Sequence, residues 1–120
     1  MTTSVSSDPQ TRRGSVAALP LQLAELRGML EQQRSFRIDQ LARLRHVDAA
    51  GLLRGVEREV NDSLVAGART ALREVVDALQ RMESGRYGSC RDCGAPIELE
   101  RLELLPQVAL CIPCQRGTAQ

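Results

Sequence analysis

The apolar positions of the chain form two helical stripes separated by a short break. Within each stripe the apolar residues recur largely at steps of three or four, the spacing of one face of an α-helix. The first stripe consists of Leu23, Leu26, Leu30, Leu41, Leu44 and Val47, and the second of Val56, Val60, Leu64, Ala68, Ala71, Val75, Leu79 and Met82. Because proline fits the first turn of a helix, Pro20 predicts the start of a first helix that ends near residue 47. At about 1.5 Å per residue, this helix is roughly 40 Å long.

The segment between the stripes, HVDAAGLLRG, predicts a turn, because Gly51 and Gly55 weaken a helix and permit the chain to reverse. Two stripes of similar length joined by a short break are typical of an antiparallel helical hairpin with a coiled-coil seam. Pairing Leu21 with Met82 places the midpoint of the hairpin near Gly51, inside this break. We refer to residues 46–55 as the tip.

The hairpin is expected to end at ESGRYG, where Gly85 and Gly88 can supply left-handed caps. These boundaries predict a disordered tail over residues 1–18, the hairpin over residues 19–84, and a small cysteine-rich module with a short C-terminal tail over residues 85–120. The N-terminal tail is expected to be disordered because it is rich in Ser, Thr, Arg and Gly and has no hydrophobic periodicity.

The composition narrows the range of shapes and functions that the chain can have. Only 2% of the residues are aromatic, so a compact core has few large anchors, and an elongated shape or an additional staple is expected. The 16 basic residues, all arginine, face 15 acidic ones, and no segment accumulates positive charge, so sequence-specific DNA binding is not expected. The sequence shows no signal-peptide core and no apolar run of the roughly 20 residues of a membrane helix. We therefore expect a cytoplasmic protein without a membrane partner.

The four cysteines form two Cys-x-x-Cys pairs, with seventeen residues between the pairs. This spacing is typical of a tetrahedral Zn²⁺ site with four thiolate ligands. Because four thiolates leave no position for water, the single Zn²⁺ is expected to be structural. Gly94 can take the positive φ that a tight knuckle needs. The expected ligands are Cys90, Cys93, Cys111 and Cys114, and the apolar residues expected to cover them are Ile97, Leu99, Leu102, Leu105, Val108 and Leu110.

Thiol redox chemistry is the alternative interpretation of the cysteines. A redox Cys-x-x-Cys normally begins a helix in a β-α-β setting, and nothing in this sequence alternates strands with helices. We therefore expect structural zinc and no enzymatic activity. Since the free energy of metal binding is folding free energy in such modules, about 10 kcal/mol, zinc also supplies the staple that the poor core requires. The predicted fold is mainly α, a long antiparallel coiled-coil hairpin followed by a small C4 zinc finger.

The segment GRYGSCRDCGAPIELERLELLPQVALCIPCQ, residues 85–115, resembles the zinc finger of the DksA/TraR family of bacterial RNA polymerase regulators. The hairpin that precedes it is similar in architecture only. Besides the cysteines, the positions that match the family pattern, and that a generic zinc finger lacks, are Gly85, Tyr87, Gly88, Gly94, Ile97, Arg101, Leu102, Pro106 and Gln115.

The resemblance implies a regulator that inserts its hairpin tip into the secondary channel of RNA polymerase and alters the lifetime of the open complex. The family often acts with the alarmone ppGpp, which makes ppGpp a candidate ligand, and it binds no promoter DNA itself. The family's tip signature is Asp-x-x-Asp-x-Ala. Asp48 and Ala50 match its second acid and its alanine, whereas Arg45 stands in place of the first acid. These residues and the neighbouring His46 are the candidate polymerase contacts, and a monomer is expected.

Alternatives stay open at the tip. Because Arg45 breaks the tip motif, the chain is alternatively a zinc-stabilised helical adaptor of the same fold that does not act in the channel. Asp48 is then a capping or solvated acid, and His46 an exposed residue at a helix end. Leu52 and Leu53 either form an exposed contact patch or seal the end of the hairpin.

Three smaller expectations concern the base of the hairpin and the C-terminal end of the sequence. The i,i+4 pairs Asp77–Arg81 and Arg27–Glu31 are interpreted as a solvated charged face. Tyr87 is expected to pack where the hairpin meets the finger, with its hydroxyl in water. Because the sequence continues for only six residues after Cys114, the C-terminal helix of longer family members is expected to be short or absent.

Overall fold

The computed structural model describes residues 20–119, and the predicted disordered tail over residues 1–18 lies outside the described residues. Within residues 20–119 the chain forms four helices: α1, Pro20–Ala49; α2, Gly55–Glu83; α3, Leu99–Leu104; and α4, Ile112–Ala119. Helices α1 and α2 pack against each other along the predicted hairpin, and α3 and α4 lie in the cysteine-rich segment. The described residues extend over 71 × 34 × 20 Å, which confirms the elongated shape expected from the composition.

The turn of the hairpin lies at residues 50–54, inside the predicted break. Helix α1 continues slightly past its predicted end, and two backbone bonds close its last turn. The N–H of Ala50 donates to the carbonyl of His46 at 3.0 Å, and the N–H of Gly51 to that of Asp48 at 3.0 Å. Arg54 then adopts the extended backbone of a residue that precedes a helix, with φ −141° and ψ 148°.

Helix α2 ends in the left-handed cap predicted at Gly85. This glycine has a φ of 75°, a conformation that costs little only without a Cβ atom. The N–H of Gly85 donates to the carbonyl of Met82 at 3.2 Å, and the N–H of Arg86 to that of Arg81 at 2.8 Å. These two bonds form a Schellman motif, which satisfies the last carbonyls of the helix and turns the chain into the finger.

The apolar stripe predicted for α2 is wrong over the half of the helix nearest the tip. Val56, Val60 and Leu64 are 73%, 52% and 49% exposed. A continuous series of buried and half-buried positions, which we call the seam, instead follows Asn61, Val65, Ala68, Leu72, Val75, Leu79 and Met82. Its alternating steps of four and three have the 3.5-residue period of a coiled coil. The predicted stripe took three successive steps of four here, each of which rotates the position by about 40° around the helix axis.

The register of the hairpin also differs from the predicted pairing of Leu21 with Met82. Leu21 is 82% exposed. The guanidinium of Arg27 forms an ion pair with Glu83 at 3.3 Å, in place of the predicted partner Glu31. The first turns of α1 therefore extend past the end of α2, toward the finger.

One buried cluster joins the base of the hairpin to the finger. Its members come from both long helices and from the cysteine-rich segment: Leu26, Leu30, Val75, Ala78, Tyr87, Cys90, Ile97, Leu102 and Leu110. The finger is therefore packed against the base of the hairpin, and the tip lies at the other end. The predicted division of the chain into a hairpin and a finger stays a prediction, because this core is shared by both.

No helix within residues 20–119 is both long enough and apolar enough to cross a bilayer.

Candidate metal centre and hairpin tip

The first Cys-x-x-Cys pair lies in a tight turn held by backbone hydrogen bonds. The N–H of Gly94 donates to the carbonyl of Cys90 at 2.9 Å, and the N–H of Cys90 donates to that of Ala95 at 2.7 Å. The N–H of Ala95 also donates to the Sγ of Cys93 at 3.4 Å. Gly94 has the predicted positive φ, 78°. This turn directs both sulfurs of the pair to one side, as a zinc knuckle requires.

The second pair spans the start of α4. Cys111 directly precedes the helix, and the N–H of Gln115 donates to its carbonyl at 2.9 Å. Cys114 lies in the first turn of the helix. A bond from the N–H of Arg91 to the carbonyl of Ala109, at 2.8 Å, joins the two knuckles. The C-terminal helix expected to be short or absent is therefore present and short, and its first turn carries one of the four cysteines.

The four sulfurs converge on one point. All four Sγ atoms of Cys90, Cys93, Cys111 and Cys114 lie within 4.8 Å of one another. The Sγ atoms of Cys93 and Cys111 are 3.7 Å apart. In a tetrahedron with Zn–S bonds of about 2.3 Å, the sulfurs are about 3.8 Å apart. Both the donor set and the spacing fit one Zn²⁺ ion.

The electrostatics of the cluster favour a bound cation. Burial raises the pKa of the Cys90 thiol, but hydrogen bonds from the backbone N–H groups of Cys111, Cys93 and Asp92 outweigh burial and lower that pKa to about 6. The pKa of Cys114 is raised, because hydrogen bonds with the sulfurs of Cys111, Cys93 and Cys90 favour its protonated form. Four thiols so close together cannot all ionise without a positive charge between them, and a divalent metal supplies it.

Apolar side chains cover the centre, largely as predicted. Ile97, Leu102 and Leu110 are 1%, 0% and 8% exposed, while Leu99 and Val108 pack against the same cluster in part. Leu105 is 42% exposed, so it does not cover the metal side as predicted. Water is excluded from one side of the sulfurs, which strengthens their interaction with a cation.

Arg81 was missed as a structural residue, because its i,i+4 spacing to Asp77 suggested a solvated ion pair. The pair does form, but the Arg81 side chain is only 8% exposed. Its second nitrogen, Nη2, donates to the carbonyl of Val108 at 3.2 Å. Arg81 therefore links α2 to the finger loop that precedes Cys111. No signal in the sequence distinguishes it from the exposed arginines of the same helix.

Tyr87 packs at the junction as predicted, but its hydroxyl is not in water. The residue is 7% exposed, and its hydroxyl donates to the carbonyl of Pro106 at 2.9 Å. Burial raises the pKa of this hydroxyl, and the nearby Arg81 lowers it by less. The tyrosine is therefore neutral at physiological pH and acts as a hydrogen-bond donor.

We expect Tyr87→Phe to lower the free energy of unfolding by about 1–2 kcal/mol, because the carbonyl of Pro106 then stays buried without a donor. Urea denaturation of the zinc-loaded protein, followed by far-ultraviolet circular dichroism, measures this change. The control is the reciprocal variant Phe36→Tyr, which adds a hydroxyl to a ring that is 53% exposed and should leave stability nearly unchanged. Equal stability of the wild-type protein and Tyr87→Phe would contradict the role of this bond.

The aspartate of the tip is engaged in an ion pair. Arg58, near the start of α2, donates to the carboxylate of Asp48 at 2.8 Å and to the carbonyl of Leu53 at 3.4 Å. The side chains of Arg58 and Asp48 are 48% and 42% exposed. Asp48 therefore helps to close the hairpin, a role that the sequence interpretation did not include.

The remaining residues of the tip, and Arg45 directly before it, are mostly exposed. Arg45, His46 and Ala50 all face solvent. Leu52 is 72% exposed, whereas Leu53 is half-buried. Each leucine therefore fits a different one of the two alternatives. Leu52 is part of an exposed surface, and Leu53 packs at the end of the hairpin.

Comparison with known proteins places the finger in a family. Residues 85–118 match the family model of the prokaryotic dksA/traR C4-type zinc finger. The RNA polymerase-binding transcription factor DksA of Caulobacter vibrioides is 38% identical over 47 residues, which are 39% of this chain and 33% of that protein. General stress protein 16O of Bacillus subtilis is 43% identical over 47 residues, 39% of this chain and 29% of that protein. The matched segment thus spans about a third or less of these relatives.

A solved structure is similar in fold over most of the chain. The transcription factor DksA2 from Pseudomonas aeruginosa superposes with a TM-score of 0.65 over 93% of this chain and 94% of that one, at 23% sequence identity. The hairpin and the cysteine cluster define a helical-hairpin protein with a C4 zinc finger. Residues 85–118 thus match the DksA/TraR C4-type zinc-finger family, and the chain shares its fold with a solved transcription factor. One structural Zn²⁺ is the cofactor that this family and the four clustered cysteines support.

Proposed function

We propose that the protein is a non-enzymatic transcription regulator that binds RNA polymerase. In this proposal the tip enters the secondary channel and changes the lifetime of the open complex. The observation that carries the proposal is the DksA/TraR-type finger at the base of a hairpin of the same fold as a known transcription factor. A relative similar in the finger is itself described as an RNA polymerase-binding transcription factor.

The architecture fits a hairpin that is anchored at its base and free at its tip. We propose that Cys90, Cys93, Cys111 and Cys114 hold the zinc ion, which makes the finger rigid. The shared buried cluster then fixes the finger to the base of α1 and α2. A helix with the 30 residues of α1 is about 45 Å long, so the tip can reach a site far from the surface on which the finger rests.

The ion pair at the tip does not prevent Asp48 from acting on a partner. Both side chains of the pair are more than a third exposed, and pairs of this kind contribute only about 0.2–1 kcal/mol. Asp48 can therefore exchange Arg58 for a cation or a basic group of the polymerase at little cost. We propose that Arg45, His46 and Ala50, which are exposed beside it, complete the contact surface.

Two further properties stay predictions: ppGpp as a ligand and the monomeric state. The ppGpp prediction rests on the family resemblance, and neither property is needed for the tip to act.

A helical adaptor that does not act in the channel is the second candidate. It is favoured by Arg45 at the position of the first tip acid, and by the engagement of the only remaining tip acid, Asp48, with Arg58. In that case the two residues serve to close the hairpin, and a partner other than the channel binds the protein. The two candidates differ in what removal of the Asp48 charge does to transcription.

We expect Asp48→Asn to weaken the effect of the protein on open-complex lifetime about tenfold, the size of one lost charge-assisted hydrogen bond. The measurement is the decay of open complexes at a ribosomal promoter with purified holoenzyme, over a range of protein concentrations. Asp62→Asn is the matched control, because Asp62 is an exposed acid of α2 outside the tip. Arg58→Gln, which releases Asp48, should retain the effect.

If Asp48→Asn behaves like the wild-type protein while Asp62→Asn is also silent, the channel mechanism is wrong and the adaptor is favoured. If the wild-type protein does not bind the polymerase at all, the proposed function fails as a whole. Thermal unfolding of each variant checks that the hairpin is intact, since loss of an exposed ion pair should cost less than about 1 kcal/mol.

A further inference from the structure

A groove lined by three arginines lies between α1 and α2, between the tip and the finger. It has a volume of about 370 Å³. Its apolar surface comes from Ile38, Leu41 and Ala42 of α1 and from Leu72 of α2, and its charged residues are Arg45, Arg69 and Arg73. In the sequence Arg45 lies far from Arg69 and Arg73, so the three do not form one basic segment. Folding brings the arginine of one helix opposite the two of the other.

No ion pair in the described part of the chain uses an arginine of this groove. The ion pairs found among residues 20–119 use Arg27, Arg58 and Arg81. None of the residues that line the groove is acidic. Arg73 donates only to the hydroxyl of Thr70, at 3.3 Å. Arg45, Arg69 and Arg73 are all exposed, so their guanidinium groups are available to a partner.

The shape of the groove selects the chemistry of that partner. Arg69 and Arg73 are one helical turn apart, which separates them by about 6 Å along α2. Between them and Arg45, the groove presents aliphatic side chains, of which Leu41 is buried and Ile38 is 49% exposed. A phosphate-bearing chain would neutralise the arginines but leave this aliphatic surface uncovered. A peptide with acidic residues on both sides of an apolar residue satisfies both parts at once.

We propose that this groove binds an acidic segment of a partner protein, with carboxylates on Arg45, Arg69 and Arg73 and an aliphatic side chain between them. Arginine forms two parallel hydrogen bonds with a carboxylate, which gives such a contact direction as well as charge. The site is separate from the ion pair of Asp48 with Arg58 and from the cysteine cluster. Although Arg45 also belongs to the proposed polymerase contact surface, the groove goes beyond the proposed function, because it requires neither entry into the channel nor the tip aspartate.

The test is fluorescence anisotropy of the zinc-loaded full chain with a labelled, acetylated twelve-residue peptide in which Asp and Glu alternate with Leu. We expect saturable binding that weakens as salt is raised. The double variant Arg69→Gln/Arg73→Gln should weaken binding at least about tenfold, and Arg45→Gln should also weaken it, since each removes a charged hydrogen-bond donor. These side chains are exposed, so the variants should unfold at the same temperature as the wild-type protein.

Three controls make the inference falsifiable. Arg43→Gln, which changes an exposed arginine of α1 outside the groove, should bind normally. A peptide with Gly in place of Leu and a linear inorganic polyphosphate should both bind more weakly than the original peptide. The inference is overturned if the original peptide does not bind, if Arg43→Gln weakens binding as much as the groove variants, or if polyphosphate binds more tightly. Because purified polymerase is not part of this assay, its result is independent of the proposed function.

Discussion

Removal of zinc is expected to unfold the finger and to destabilise the base of the hairpin. Between residues 85 and 119 the described chain has two short helices and an isolated antiparallel bridge between Ser89 and Pro96. Cys90 belongs to the same buried cluster as Leu26 and Leu30 of α1, so the metal and the apolar core depend on each other. Binding of structural zinc contributes about 10 kcal/mol in modules of this kind, which is as large as the whole stability of many small domains.

A chelator titration tests this expectation. Metal analysis should give one zinc per chain, and its loss should lower the circular dichroism at 222 nm and abolish protection from hydrogen exchange over residues 85–119. Amides near the tip should change less, because they lie far from the cluster. Loss of zinc without any change in exchange would show that the finger folds on its own.

Cysteine variants separate the role of the metal from an effect of the chelator. Cys90→Ser should behave like the chelated protein, because a serine hydroxyl is a poor zinc ligand at neutral pH. Arg91→Ser, at the exposed neighbouring position, should keep its zinc and its melting temperature. If both variants kept zinc with unchanged affinity, Cys90 would not be a ligand.

The features predicted correctly from the sequence depend on short-range rules. A Cys-x-x-Cys spacing places two sulfurs on one side of a tight turn, as in the first pair, or of a first helical turn, as in the second, and Gly94 takes the expected left-handed conformation. The position of the turn follows from the lengths of two stripes and from the glycines between them. The cap at Gly85 follows from the chemistry of a helix end. Each of these features is decided within a few residues.

The features that the sequence did not reveal depend on how elements meet. Asn61 lies in the seam in place of Val60, because the seam keeps a 3.5-residue period. In the sequence, the apolar stripe through Val60 and Leu64 fits a buried helix face equally well. Arg81 is buried because the loop at Val108 packs over it. This contact joins residues far apart in the sequence, so no local pattern predicts it. The groove of Arg45, Arg69 and Arg73 joins residues of both helices, so it appears only when the register of the hairpin is known.

The buried asparagine shows why apolar content alone did not locate the seam. Asn61 is 7% exposed, while the more hydrophobic Val60 is 52% exposed. A polar residue at a seam position lowers stability but disfavours other registers of two helices, since a shifted register buries it without its normal surroundings. The tip half of the hairpin is thus less apolar inside than its sequence suggests, and Val56, Val60 and Leu64 are left on the surface.

The second large effect is expected at Leu102. This residue is fully buried at 0% exposure, whereas Leu104, two positions along the same short helix α3, is 81% exposed. Leu102→Ala should lower the free energy of unfolding by about 2–5 kcal/mol, because it removes buried methyl groups and leaves a cavity between the finger and the hairpin. Leu104→Ala should change it by less than about 0.5 kcal/mol.

Urea denaturation at a fixed concentration of free zinc measures both variants under the same metal linkage. Because Leu102 shares its cluster with Leu26 and Leu30 of α1, its loss should weaken the hairpin base as well as the finger. Hydrogen exchange in Leu102→Ala should therefore increase both in residues 85–119 and around Leu26, while Leu104→Ala resembles the wild-type protein. Faster exchange confined to the finger would mean that the hairpin is stable without it, and the shared core would then not be what holds the tip in place.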